Sequence, residues 1–298
     1  PNIATQFDPK SPAGDIFLTN LQKEIAKLFA LIMRKGFKVF LNGVSIDPVS
    51  LDILTSADFS KDTIKPYAYM GTIDNVNIEL VVGFYRELAT EDETDDEKKI
   101  RKKRDNAGWT IICNDRVVLA HDTSEVTGWG MSNVPKYHNQ FIAVAGVVKF
   151  YSNDSLSLPL KTTKRGIETS STIYWHTLNY MMEGMKKFTD FTNHWKGRET
   201  EVSSEFKKLS LKEATSVLDD IPEHAWKPVR NTPNPEKRFT PELPRPKVEN
   251  LRRRISFERL KEEIEFLGEY FFDDPEKSPS DIGNQCFEES LKQARRKK

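Results

Sequence analysis

Apolar residues recur at helical spacing near the start of the chain. Asp15 or Thr19 could cap the helix that this spacing predicts, with Gln22 completing a capping box after Thr19. Gly36 follows Lys35 and is typical of a residue just beyond a helix end. We therefore predict one helix that ends at Gly36. The apolar positions are Leu18, Leu21, Ile25, Leu28, Phe29 and Ile32.

Shorter apolar segments follow in pairs, and each pair is separated by a two-residue turn signal. Such pairs are typical of β-hairpins, and Asn-Gly is the strongest of these signals. A further strand is predicted from Phe141 to Tyr151. The predicted pairs are residues 37–41 before Asn42-Gly43, 67–73 and 76–85 around Asp74-Asn75, and 110–113 and 116–120 around Asn114-Asp115.

The clearest helical pattern begins after residue 167. Trp175 and Met182 widen its apolar stripe, and we expect this stripe to pack against a sheet. Several strands and a covering helix predict an α/β (α+β) domain with a mixed sheet and helices on one face. We place this domain at residues 37–197, after a connecting helix at residues 1–36. The stripe consists of Tyr174, Leu178, Met181, Met185, Phe188 and Trp195.

Beyond Gly197 the composition changes. Seven prolines between Pro222 and Pro246 predict an extended linker at residues 198–250, with a possible short helix at 205–218. Trp226 is unusual in a free linker, so part of this segment is expected to lie along a folded domain or a partner.

The last part of the chain, residues 251–298, is predicted to be a small, mainly helical module. One helix is expected at about residues 258–270. A second should begin at Ser278, with Pro279 at its first position and Asp281 placed as in a capping box. Such a module is typical of interaction, with a nucleic acid or a protein as the possible partner.

Charge and composition change this picture little. The chain has 298 residues, and its 45 basic and 45 acidic side chains cancel. An acidic block at 91–97 is followed by a basic block at 98–104, which we interpret as a mobile charged loop within residues 88–107. Two distant cysteines, no apolar run long enough for a bilayer and no signal peptide predict a cytoplasmic protein without a membrane partner.

A loop at the predicted strand-to-helix junction carries the most informative chemistry. Residues 157–167 contain three cations, two threonines and one glycine. A helix N-terminus with nearby lysines can bind a phosphate. The loop lacks the glycine and lysine spacing of a Walker loop, so an ordinary connection explains the same residues. The histidines and cysteines show no zinc spacing, and no metal site is predicted.

Three segments together resemble the region that follows the nucleotide-binding domain in the GHKL superfamily of ATPases, which includes gyrase, MutL, histidine kinases and heat-shock chaperones. The similarity is to the MORC-like bacterial branch. Its segments are residues 108–119 running into 122–130, residues 135–141 with 146–150, and the loop at 161–166 with its following helix.

The resemblance implies a transducer domain with a βαβ layout, whose switch loop sends a lysine to the terminal phosphate of ATP. Lys164 is the expected catalytic residue, and Lys161 is the competing candidate. The phosphate-binding loop would comprise Lys161, Thr162, Thr163, Lys164 and Arg165.

The resemblance also implies the cofactors and partners. ATP and Mg²⁺ would be held by an upstream ATP-binding domain of the same protein, since Glu-x-x-x-Asn and Asp-x-Gly-x-Gly motifs do not occur in this sequence. The parent protein would be an ATPase and a homodimer that changes conformation with nucleotide state, whereas this chain alone would be inactive. The alternative is a stand-alone, non-enzymatic module that binds RNA or an acidic protein surface.

Overall fold

The computed structural model describes residues 11–56, 58–59, 63–90, 93, 106–163, 166–229, 235–246 and 255–296. The chain forms two units, Pro1–Pro246 and Lys247–Lys298. The first unit contains a mixed sheet with packed helices, and the second is helical. The predicted α/β (α+β) class is confirmed, together with the C-terminal helical module.

Two helices replace the single helix that was predicted at the start. Helix α1 is Pro12–Leu28 and α2 is Ala30–Arg34. Phe29 separates them because its backbone leaves the helical region, at φ −108° and ψ 13°. The expected caps are wrong: Ser11 is the cap, and its Oγ accepts a hydrogen bond from the backbone N–H of Gly14 at 2.9 Å.

The main sheet, among the described residues, has seven strands in the order β10-β11-β4-β5-β8-β6-β7. Neighbouring strands are antiparallel except β6 and β8, which are parallel. The strands of this sheet are β4 (Tyr67–Ile73), β5 (Val76–Phe84), β6 (Gly108–Cys113), β7 (Arg116–Asp122), β8 (Val144–Tyr151), β10 (Lys227–Pro228) and β11 (Lys237–Phe239).

All three predicted hairpins are present. Besides β4–β5 and β6–β7, strands β1 (Val39–Leu41) and β2 (Val44–Ile46) pair across Asn42-Gly43. Both turn residues have positive φ, 49° and 79°, as a two-residue turn of this kind requires.

Helix α3, Thr172–Trp195, covers one face of the main sheet and confirms the predicted stripe. All six predicted stripe residues are buried. Trp175 is the exception to the widened stripe, because its side chain is 48% exposed. From β8 the chain enters α3 and returns to the sheet at β10, so these elements form a wide β–α–β crossover.

The opposite face carries a second layer. It contains a two-stranded sheet of β3 (Asp52–Thr55) and β9 (Ser210–Glu213), with the short helix α5, Val217–Asp220. The helix predicted at 205–218 is therefore wrong. Helix α4 ends at Phe206 (Glu199–Phe206), and the next residues pair with β3 instead.

The proline-rich segment also differs from the expected linker. Strand β11 joins the main sheet by pairing with β4, and β10 lies at the sheet edge, where a proline such as Pro228 is tolerated. Trp226 is buried in the apolar cluster of the second layer. The expectation that this tryptophan lies along a folded domain is confirmed.

The C-terminal unit contains helices α6 (Lys261–Phe272) and α7 (Pro279–Arg296). The Oγ of Ser278 accepts a hydrogen bond from the backbone N–H of Asp281 at 3.2 Å, which confirms the predicted cap. No helix in the described part of the chain is long and apolar enough to cross a membrane.

Candidate functional site

The predicted loop projects from the junction between β8 and α3. Its base is closed by an antiparallel bridge between Leu160 and Ile167 and by a hydrogen bond from the backbone N–H of Lys161 to the carbonyl of Gly166 at 3.3 Å. Leu158 and Ile167 are buried in the main core. Two apolar anchors and a closed base therefore hold the two ends of the loop against the main core.

The predicted phosphate-binding residues, 161–165, begin at this base with Lys161. Lys161, Thr162 and Thr163 are exposed. Lys164 and Arg165 lie outside the described residues. Gly166 closes the loop with a φ of 98°, a left-handed conformation that favours glycine.

Glu168 gives the base of the loop a negative charge. Hydrogen bonds from the hydroxyl and backbone N–H of Ser170 hold the pKa of its carboxyl below the usual range, and the charge of Lys161 adds to this effect. The positive charge of Lys161 thus has an anionic neighbour within its own loop.

The N-terminus of α3 faces the same junction. Its cap residue, Ser171, makes no side-chain capping hydrogen bond, and the first helical turn contains no acidic residue. The backbone N–H groups at such an end carry a partial positive charge that attracts anions.

A second segment of the resemblance packs against the first turns of α3. The hydroxyl of Tyr174 donates to the carbonyl of Val126 at 2.5 Å. Asp122 organises this turn, because its Oδ1 accepts hydrogen bonds from Ser124 and Thr127. Gly128 has a φ of 93°, and a side chain there would collide with Met182 of α3.

Strands β6 and β8 bring further parts of the resemblance together. They lie side by side with Trp109 opposite Gly146. The indole of Trp109 covers this glycine so closely that an added Cβ would lie 2.4 Å from the ring. Its Nε1 lies 3.2 Å from the sulfur of Met185 in α3. The three resembling segments therefore meet around one helix.

Other residues that stood out in the sequence have local roles. Nδ1 of His138 accepts a hydrogen bond from the backbone N–H of Gln140, and so caps a short 3₁₀ helix. His194 lines an open groove of about 430 Å³. From the predicted charged loop at 88–107, the structure describes residues 88–90, 93, 106 and 107. Leu88, Ala89 and Ala107 are buried, and Glu93 makes two hydrogen bonds with Arg86.

The structure reveals a polar cluster that the sequence analysis missed. It consists of Tyr69, His176, Tyr180 and Glu236. The Glu236 side chain is only 2% exposed. Its Oε2 lies 2.7 Å from the hydroxyl of Tyr69, 2.8 Å from Nε2 of His176 and 3.4 Å from the hydroxyl of Tyr180.

The aromatic rings of this polar cluster pack together. Tyr69 and Tyr180 are stacked, with ring centroids 3.8 Å apart. Burial, followed by the charge of Glu236, raises the pKa of Tyr180 to about 12. Burial, followed by the hydrogen bond to Glu236, raises the pKa of Tyr69 further. Both phenols therefore stay protonated and donate to the carboxylate. The spacing of His176 and Tyr180, one helical turn apart on α3, is the only signal that the sequence offers.

An open cleft of about 910 Å³ lies beside the polar cluster, and Gly71, Trp226 and Glu236 are among its lining residues. The carboxylate itself is enclosed, since an added Cβ at Gly71 would lie 2.5 Å from the hydroxyl of Tyr69 and 2.9 Å from Cγ of Glu236. The polar cluster is thus a packed joint between elements.

Among the described residues, no group of three or more His, Cys, Asp or Glu side chains could hold a metal ion. No family model matches the sequence, and no match was found among curated proteins.

Proposed function

We propose that this chain is the transducer and C-terminal region of a GHKL-type ATPase. Its loop at residues 161–166 would contact the terminal phosphate of ATP bound by a separate, upstream domain. The position of the loop would then couple nucleotide state to the conformation of a homodimer. The observation that carries the proposal is the closed base of this loop between β8 and the uncapped end of α3, with Lys161, Thr162 and Thr163 exposed.

The chemistry of this role is electrostatic. A lysine that reaches the terminal phosphoryl group neutralises negative charge there, and such stabilisation counts most where charge develops in the transition state. The N–H groups at the start of α3 add a fixed partial positive charge. This chain would therefore supply charge and position, while binding of the nucleotide base belongs to the other domain.

Lys164 is the lysine that we assign to the phosphate. Lys161 has Glu168 as an anionic neighbour, which reduces the net positive charge that it can offer. Lys161 also belongs to the closed base of the loop through its backbone N–H. These contacts favour a structural role for Lys161, so we assign the contact with the terminal phosphate to Lys164.

The test is ATP turnover by the native polypeptide that carries this chain. Lys164→Ala should lower turnover by about 100-fold or more, the usual effect of removing one group that stabilises developing charge. Lys161→Ala should have a smaller effect. The matched control is Lys207→Ala, which removes an exposed lysine at the end of α4 and should leave turnover unchanged.

Thermal unfolding of each variant separates a lost contact from a lost fold. Near-normal ATP turnover by Lys164→Ala would contradict the assignment of Lys164 to the phosphate. A large loss of turnover in Lys161→Ala alone would assign the phosphate contact to Lys161 instead. A native polypeptide with the mass of this chain and no ATP turnover would overturn the proposal. It would favour the stand-alone module, for which salt-dependent RNA binding is the diagnostic measurement.

A further inference from the structure

The segment at residues 235–246, which we call the strap, runs along α3 for most of the helix. Glu236 contacts His176, Arg238 forms an ion pair with Glu183 at 2.8 Å, and the carbonyl of Pro244 accepts a hydrogen bond from Trp195. The contacting residues occur in the same order along the strap and along α3.

The lengths of the two segments agree with this path. From residue 176 to 195 a helix rises about 28 Å at 1.5 Å per residue. From residue 236 to 244 an extended chain spans about 26 Å at 3.3 Å per residue. Pro241, Pro244 and Pro246 favour the extended conformation. The strap therefore lies parallel to α3 and extends over nearly the whole distance between its first and last contacts.

At the end nearest the loop, the strap is held by a buried carboxylate and by strand pairing. There the buried carboxylate of Glu236 receives hydrogen bonds within the polar cluster, and β11 pairs with β4 through Lys237, Arg238 and Phe239. At the other end, the groove of about 430 Å³ lies between α3 and residues 241–245. At the His176 end the strap is thus held both by the buried carboxylate and by strand pairing.

The first turns of α3 are consequently held from two directions. Tyr174 is bonded to the turn that contains Val126, and His176 and Tyr180 are bonded to Glu236. The N-cap of α3, Ser171, follows the loop and lies five residues before His176.

We propose that Glu236 is a positioning residue for the loop at 161–166, because it clamps the strap to the first turns of α3 and thereby fixes the end of the helix from which the loop departs. A displacement of the strap is then transmitted to the loop. A role of this coupling in ATP turnover rests on the proposed function. The coupling between the strap and the loop does not depend on it.

The experiment is hydrogen–deuterium exchange of the full chain, read by mass spectrometry. In Glu236→Gln, amide exchange should rise about tenfold or more in peptides covering 166–180 and 235–240, as expected when hydrogen bonds to a buried charged group are lost. Exchange in β6 should not change. The control is Glu242→Gln, the same chemical change at an exposed position of the strap, and its exchange should equal that of the parent chain.

A second variant keeps the test decisive if Glu236→Gln folds poorly. Tyr69→Phe removes one hydroxyl that donates to Glu236 and keeps the stacked ring. It should raise exchange in the same two regions by a smaller factor. A rise confined to the strap, or no rise in either variant, would overturn the positioning role.

A uniform rise that includes β6 would also contradict the proposal, since it would show a general stabilising role for Glu236. No nucleotide is needed for these measurements. A positive result with normal turnover in Lys164→Ala would therefore keep the coupling and reject the ATP role. The reverse combination would keep the ATP role and reject the coupling.

Discussion

Glycine 146 illustrates how single residues set the geometry around α3. It lies on β8 directly under the ring of Trp109 in the parallel neighbour β6. The sequence places both residues in strands, but it does not reveal that they are opposite each other, since a strand pattern contains no information about its neighbour. The same holds for Tyr69 and Glu236, which are 167 positions apart. The loop was found from its composition, whereas the polar cluster required the tertiary structure.

Replacement of this glycine should be costly. In Gly146→Ala the added Cβ would lie 2.4 Å from the indole, so strand or ring must shift, and we expect a loss of about 1–3 kcal/mol in the free energy of unfolding. Urea denaturation measures it. The control is Gly283→Ala in α7, where nothing lies within 4 Å of the added atom. It should be neutral or slightly stabilising, because alanine favours helix. Equal stability of Gly146→Ala and the parent would contradict this packing.

At the scale of elements, local patterns predicted most of the strands and the long helix, because turn chemistry and apolar spacing act within a few residues. They failed where a distant partner decides the conformation. Residues 210–213 form a strand because β3 pairs with them. Strand β11 likewise needs β4, from which it is separated by more than 160 residues. The first helix began earlier than its apolar spacing indicated, since Ser11 and Pro12 set its start.

The N-cap of α1 can be tested with a matched pair. Ser11→Ala removes the acceptor for the N–H of Gly14 and should cost about 1 kcal/mol in local stability. Thr19→Ala changes the residue that the sequence offered as a cap, and this threonine is exposed in the middle of α1. It should be neutral or stabilising. Amide exchange in the first turns of α1 distinguishes the two, and faster exchange in Thr19→Ala alone would contradict the cap at Ser11.

At the scale of the whole molecule, the core of the first unit has two layers, one on each face of the main sheet. Several ionisable side chains, a thiol and several phenols, are buried in this core. Burial raises the pKa of the Cys113 thiol to about 12 and raises the pKa values of the Tyr67 and Tyr174 phenols as well. These groups are held protonated by the fold, together with Tyr69 and Tyr180.

The burial of these thiol and phenol groups predicts that the protein loses stability at alkaline pH. Unfolded thiols and phenols release protons near pH 9 and 10, whereas the folded groups retain them, so the folded state binds more protons above these values. Stability from these groups is therefore complete below about pH 9 and falls as pH rises toward 12. Urea midpoints should stay level from pH 8 to about pH 9 and decrease from there to pH 11.5.

Cys113→Ala provides the control for the first part of this decrease. Its loss of stability between pH 9 and 10 should be smaller than that of the parent chain, because one of the buried protons is gone. A midpoint that stays constant to pH 11.5 in the parent would contradict the enclosure of these groups.

The pairing of β3 with β9, and of β4 with β11, has a consequence for synthesis of the protein. The ribosome releases β3 and β4 early, yet Ser210–Glu213 and Lys237–Phe239 complete their sheets. Until about residue 239 has emerged, the apolar faces of Ile53 and Ala68, which are buried in the finished molecule, lack part of their cover. We therefore expect a nascent chain shorter than this to expose apolar strand surface that the finished molecule buries.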